Sequence, residues 1–263
     1  AVFLEAQGPQ GDILISQSQL AGLQIQERNN ANDNNEYYNY LLAAMNAKYL
    51  GGRLVLLAAL IGGTSYVWSW SQGLDDLTST IWKGSGVGLL ALYAGLKARN
   101  LQGWAITAIM ALGALGDVLL EAAGLIIGAI AFLAGHLVAI WLYGRNQRPD
   151  LNPVQRILAF AVIPLTVGTA YVLSAGQGAG LGIPFYALGL SIMAAFALMS
   201  RFSPPWVGLG ALMFVVSDLL IFARSGPLTG QAWVGLAVWG LYFGGQVLIC
   251  LGVNRTLESQ VEA

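Results

Sequence analysis

Charge is what this sequence has least of. Only 10% of its 263 residues are Asp, Glu, Lys or Arg, against about a quarter in soluble domains, and 56% are hydrophobic. A soluble globule is therefore nearly excluded. There is a single cysteine, Cys250, which excludes an internal disulfide framework and any Cys-x-x-Cys metal site. There is a single histidine, His136, which argues against a histidine-built zinc or haem centre. Twelve Lys and Arg against thirteen Asp and Glu leave no basic field for nucleic acid. What remains is an integral membrane protein whose few charges each need an explanation.

The apolarity is uneven. Residues 1–53 are polar and rich in Asn and Gln, as in Asn29-Asn30-Ala31-Asn32-Asp33-Asn34-Asn35. The first eleven residues lack a basic region followed by an apolar core, so they do not read as a signal peptide. Weak alternation over 12–27 allows a short strand or hairpin. Asn35 is placed to cap a helix over about 36–50, with Tyr38, Leu41, Leu42, Met45 and Tyr49 on one face. That segment reads either as an interfacial helix feeding the first span, or as an ordered linker or a docking arm for a membrane-protein partner or an oligomer.

From Leu54 the chain breaks into eight apolar segments, roughly 54–70, 78–96, 102–120, 124–143, 157–174, 180–200, 205–223 and 231–252. Each is long enough to cross ~30 Å of hydrocarbon as a helix. The fold expected is all-α, a polytopic bundle of eight transmembrane helices over 54–254, with a short tail at 255–263. Eight spans put Arg28, Lys48, Arg53, Lys97, Arg99, Arg145, Arg148, Arg156, Arg201 and Arg255 on one side and only Arg224 on the other. By the positive-inside rule both termini are then cytoplasmic, and the expected location is a bacterial inner membrane. Many of the 34 glycines fall at small-xxx-small spacing, for example Gly124/Gly128 and Gly84/Gly88, which predicts close helix packing. Trp68, Trp70, Trp82, Trp104 and Trp206 lie near span ends and read as an interfacial belt.

Three ionisable residues fall well inside spans: Lys83, Asp117 and Asp218. Glu121 follows Asp117 by one turn, and His136 is near the middle of the fourth span. A charge at bilayer depth costs ~2.5–3.5 kcal/mol or more, so such residues face the bundle interior and usually work there. Counted along the helices at 1.5 Å per residue, the three lie within roughly 6–9 Å of one depth in the outer half of the bundle. The plain alternative is a structural ion pair in which Lys83 neutralises one aspartate. Two carboxylates against one ammonium would still leave an acid over, and two acids in different protonation states are what acid–base chemistry needs. Tyr242 and Gln246, one turn apart in the eighth span, are either polar packing or part of the same site.

The motifs Trp82-Lys83, Leu115-Gly116-Asp117-Val118-Leu119-Leu120, Gly128 to His136, Gly210 to Asp218 and Tyr242-Phe243-Gly244-Gly245-Gln246 occur in order on successive segments. In that order the sequence resembles the YhhN family, the bacterial relatives of the TMEM86 lysoplasmalogenases, over about residues 54–254. The resemblance implies an eight-span membrane hydrolase that cleaves the vinyl ether bond of lysoplasmalogens to a fatty aldehyde and a glycerophospho-base. It places the catalytic roles on Asp117 and Asp218, the aspartates of the Gly-Asp and Ser-Asp motifs. Lys83, His136, Tyr242, Gln246 and Glu121 would support them by setting charge, contacting the substrate phosphate or orienting water. The chemistry needs no metal or other cofactor. The sequence departs from the family where Gly84-Ser85-Gly86 follows Lys83 and where Ala139 and Ile140 follow His136. Two other readings compete: an accessory or scaffold subunit, favoured by the polar arm, and a proton-coupled transporter, in which intramembrane carboxylates carry protons.

Overall fold

In a computed structural model, residues 50–175, 181–202 and 205–260, together with Asn39, are described. The hairpin expected over 12–27 and nearly all of the helix expected over 36–50 lie outside these residues. The chain divides into two units, Ala1–Gly51 and Gly52–Ala263. Eight helices fill the described residues from Leu50 onward: α1 (Leu50–Ser69), α2 (Asp76–Lys97), α3 (Leu101–Ala122), α4 (Leu125–Gly144), α5 (Pro153–Ser174), α6 (Gly182–Met199), α7 (Trp206–Arg224) and α8 (Trp233–Ser259). No strand occurs among the described residues, only an isolated bridge between Gln147 and Ser200. Seven of the helices are long and apolar enough to cross a membrane. The exception is α2, which carries Asp76, Lys83 and Lys97. An all-helical integral membrane protein is the result.

The helix ends follow from local chemistry. Asp75 caps α2 by accepting from the Thr78 amide at 2.9 Å, and Asn100 caps α3 by accepting from the Gly103 amide at 2.8 Å. Asn152 and Gln155 form a reciprocal capping box at the start of α5, with Pro153 in the first turn. This starts α5 four residues before its apolar run. At the other extreme α8 continues through polar residues to Ser259. Asn254 bonds the Cys250 carbonyl at 2.8 Å, and Glu258 pairs with Lys97 at 2.5 Å, so the projecting turns are tied to α2.

Packing is inverted relative to a soluble protein. Ile126, Val172 and Phe185 are at least 67% exposed, as lipid-facing side chains are. The core lies along α2, α3, α4, α6, α7 and α8, with α1 and α5 more peripheral. Small residues let the central helices touch. A Cβ built on Gly210 would lie 2.7 Å from the Gly245 carbonyl, and one on Gly245 would lie 2.7 Å from the Gly210 carbonyl. Neither position between α7 and α8 accepts even alanine without backbone movement. The expected small-residue pair Gly124/Gly128 divides its work differently. Gly128 packs on Leu120, whereas Gly124 has φ 90° and no neighbour near its Cβ position, so it makes the α3–α4 turn. Of the expected belt, Trp68, Trp70, Trp104 and Trp206 are exposed. Trp82 instead donates to the Ser65 hydroxyl at 3.0 Å, linking α2 to α1.

Candidate active site

Each aspartate is held by one tyrosine. On α3, Asp117 accepts from the Tyr242 hydroxyl of α8 at 2.8 Å. On α7, Asp218 accepts from the Tyr186 hydroxyl of α6 at 2.6 Å. Tyr186 also lies 3.3 Å from His136 Nε2 on α4. Gln246, one turn on from Tyr242 in α8, lies within interaction range of its hydroxyl. Asp117, Asp218, His136, Tyr242 and Gln246 are all at most 5% exposed. The two halves meet through aromatic edges. Phe214 sits one turn before Asp218 and lies 5.1 Å from the His136 ring and 5.2 Å from the Tyr242 ring, centroid to centroid. Phe132, one turn before His136, lies 5.8 Å from Tyr242. Asp117 is within electrostatic range of Asp218.

The sequence motifs have local reasons. In Gly116-Asp117, a Cβ at Gly116 would come within 2.8 Å of the Phe132 ring, so glycine is what lets α4 lie against α3 at the level of the carboxyl. One turn earlier, a Cβ at Gly113 would be 3.0 Å from Gln246 Nε2 and 3.5 Å from the Tyr242 hydroxyl. The glycine therefore opens α3 to both polar groups of α8. In Ser217-Asp218, the serine hydroxyl donates to the Val238 carbonyl at 2.9 Å, which fixes α7 on α8 and sets the direction of the next side chain.

Lys83 corrects the expected charge scheme. Its ammonium bonds Glu121 at 2.6 Å, not an aspartate, and the pair is part-exposed (side chains 12% and 43%). A lysine stem spans more than one helical turn, so the ammonium can move away from bilayer depth toward the more hydrated helix end where Glu121 lies. Asp117 still lies within electrostatic range of Lys83. Among the described residues neither aspartate has a cation within ion-pair distance. Both carboxyls are thus buried with a neutral donor as partner.

Tyr186 and Tyr143 are the residues that sequence reasoning passed over. Tyr186 holds Asp218, and Tyr143 is fully buried with no partner for its hydroxyl among the described residues. The available signal was limited to Tyr186, a tyrosine one turn inside an apolar span, where a phenol out of water needs a partner; Tyr143 is the last residue of its apolar segment and reads there as an interfacial tyrosine. No group of three or more His, Cys, Asp or Glu among the described residues is arranged to hold a metal ion.

Two concavities flank the pairs. A cavity of about 20 Å³ is bordered by Gly113, His136, Tyr143, Phe214 and Gln246. A wider groove of about 520 Å³ runs between α1, α7 and α8, with a mainly apolar lining that includes Leu60, Val67, Met213, Trp239, Phe243 and Leu248. Trp239 stands between groove and site, with its ring 5.6 Å from that of Tyr242.

The chain has relatives among known proteins. Lysoplasmalogenases of Mycobacterium bovis and Mycobacterium tuberculosis are each 28% identical to it over 158 residues, 57% of this chain and 59% of theirs. The match thus spans about three-fifths of the length of these curated relatives. No solved structure matches significantly. Residues 78–253, about two-thirds of the chain, from the first turn of α2 into α8, match the model of the YhhN family, a stretch that includes both Asp117 and Asp218. The chain belongs to the YhhN family.

Proposed function

We propose that the protein is a lysoplasmalogenase-like hydrolase of eight spans, with both termini cytoplasmic, that cleaves the vinyl ether bond of lysoplasmalogen-type lipids in a bacterial inner membrane. One observation carries the reading. Two aspartates on different helices are buried without an ion-pair partner among the described residues, and each is oriented by a tyrosine hydroxyl. Family membership and the two mycobacterial relatives support the reaction class. The apolar groove beside Trp239 supports a single-chain lipid as substrate.

The hard step in vinyl ether hydrolysis is protonation of carbon. A carboxylic acid kept neutral by burial gives its proton to the alkene carbon remote from oxygen, and the electron pair of the double bond forms the new C–H bond. The carbon next to oxygen becomes an oxocarbenium ion, which the second aspartate stabilises as a carboxylate. Water adds to that carbon and releases a proton to the carboxylate, giving a hemiacetal. Collapse of the hemiacetal breaks the original C–O bond and yields aldehyde and alcohol. One water is consumed, and the proton balance closes within the aspartate pair. Asp117 and Asp218 carry these roles and titrate as a coupled pair. Tyr242 and Tyr186 orient them.

The direct test supplies purified protein with lysoplasmalogen and with an ester lysophospholipid. Aldehyde from the first and no fatty acid from the second is expected. Fatty acid from the ester would make the protein an acyl hydrolase and refute the proposal.

A further inference from the structure

The proposed reaction leaves three buried polar groups without a role. Gln246 Oε1 and the Tyr143 hydroxyl are buried and have no hydrogen-bond partner among the described residues, and His136 has a second ring nitrogen beside the one facing Tyr186. All three residues line the same 20 Å³ cavity. We propose that this cavity binds one water molecule, held by Gln246, Tyr143 and His136, which joins the two aspartate–tyrosine pairs into a single hydrogen-bonded array. The site stands on geometry; its effect on catalysis rests on the hydrolytic reading.

Size and chemistry agree. A water needs about 10–15 Å³ of such space and two to four polar partners. The rest of the lining is apolar (Ile109, Phe132, Met193, Phe214 and Ile249 among it), so the polar groups leave room for one water and define its position. An orphaned buried polar atom costs ~1–3 kcal/mol. A single water satisfies Gln246 and Tyr143 at once.

The direction of every bond follows from the known ones. Tyr242 spends its only hydrogen on Asp117, so Gln246 meets its oxygen with an N–H. That orientation turns Oε1 to the cavity as an acceptor. Tyr186 spends its hydrogen on Asp218, so its oxygen accepts from His136 Nε2–H. That tautomer makes Nδ1 an acceptor as well. The water then donates to Gln246 Oε1 and His136 Nδ1 and accepts from the Tyr143 hydroxyl, three bonds in all. Gln246, His136 and Tyr143 are positioning residues: through this water they hold both tyrosines with their hydrogens on the aspartates.

Two measurements test the site. A high-resolution cryo-electron-microscopy map of the full chain in lipid nanodiscs should show a solvent peak within hydrogen-bond distance of Gln246 and Tyr143; a map that resolves these side chains but shows no peak overturns the proposal. The second measurement uses Gln246→Met, Tyr143→Phe and the double variant, assayed on lysoplasmalogen. Groups that act through one water are not additive. Each single variant should lose about tenfold in kcat with KM within about twofold, and the double variant should lose no more than either. A double variant that loses about a hundredfold, the product of the singles, refutes the shared water. Wild-type protein that releases no aldehyde would sink the hydrolytic reading while leaving the map to judge the site.

Discussion

Removing the hydroxyl of Tyr186 isolates one half of the site with little change of volume. In Tyr186→Phe, Asp218 loses its 2.6 Å donor and His136 Nε2 loses its 3.3 Å partner. A hydrogen bond to an ionised group is worth ~1.5–3 kcal/mol, and one between neutral groups ~0.5–1.5 kcal/mol. At 1.36 kcal/mol per decade of rate, these become losses of about 13- to 160-fold and about 2- to 13-fold. The matching variant at the other aspartate is Tyr242→Phe, which removes a 2.8 Å bond to Asp117. The scheme has one aspartate neutral and the other ionised at rest. The two variants should therefore fall in different ranges, and the larger loss identifies the carboxylate. The assay is aldehyde release under saturating lysoplasmalogen, with the thermal midpoint of each variant followed in detergent. Losses within twofold of wild type for both, at unchanged midpoints, would show that the tyrosines do not orient the acids.

Further expectations follow from single positions. Gly116→Ala drives a methyl to 2.8 Å from the Phe132 ring; overpacking of this kind costs ~1–3 kcal/mol, and Phe132→Leu should restore part of the lost thermal midpoint and activity. Gly240 lines the groove and has no atom within 4 Å of its Cβ position, so Gly240→Phe should fold normally and raise KM for long-chain substrates more than for short-chain ones. Asp75 lies in the turn before α2, where Thr78, chiefly through its hydroxyl and then its amide, holds the carboxyl below its ordinary 3.8. A lowered folded value means the stabilisation is complete above that ordinary value and is lost as pH falls through the folded one. Asp75→Ala should lower the thermal midpoint at pH 6 and close most of the gap to wild type as pH drops below about 3.8, whereas a difference that persists unchanged in acid would refute the capping argument.

Much of the fold is legible in the sequence because burial in lipid is enforced residue by residue. Each of the eight apolar segments corresponds to one of the eight helices, α1 to α8. The ends that differ do so where hydropathy is blind. Asn152 and Gln155 begin α5 with a capping box, and α8 runs seven residues past the apolar stretch ending at residue 252, to Ser259, because Asn254 and the Lys97–Glu258 pair support helix beyond the apolar stretch. Site residues are legible to the extent that they are costly. Asp117, Asp218, His136 and Gln246 stand out because apolar spans rarely carry them. Tyr186 and Tyr143 do not, since an intramembrane tyrosine looks the same in sequence whether it faces lipid or an acid. Lys83 misled for a different reason. Position along the helix fixed its Cα but not its ammonium, which reaches a turn away to Glu121.

The most direct test of the account lies in the two acids. Purified wild-type protein, Asp117→Asn and Asp218→Asn, each shown by thermal midpoint to be folded, are given lysoplasmalogen and followed for fatty aldehyde. The account predicts aldehyde from the wild type and at least a hundredfold loss in each variant, the scale of general acid–base catalysis (~10²–10⁴-fold). Full activity in either asparagine variant would contradict it.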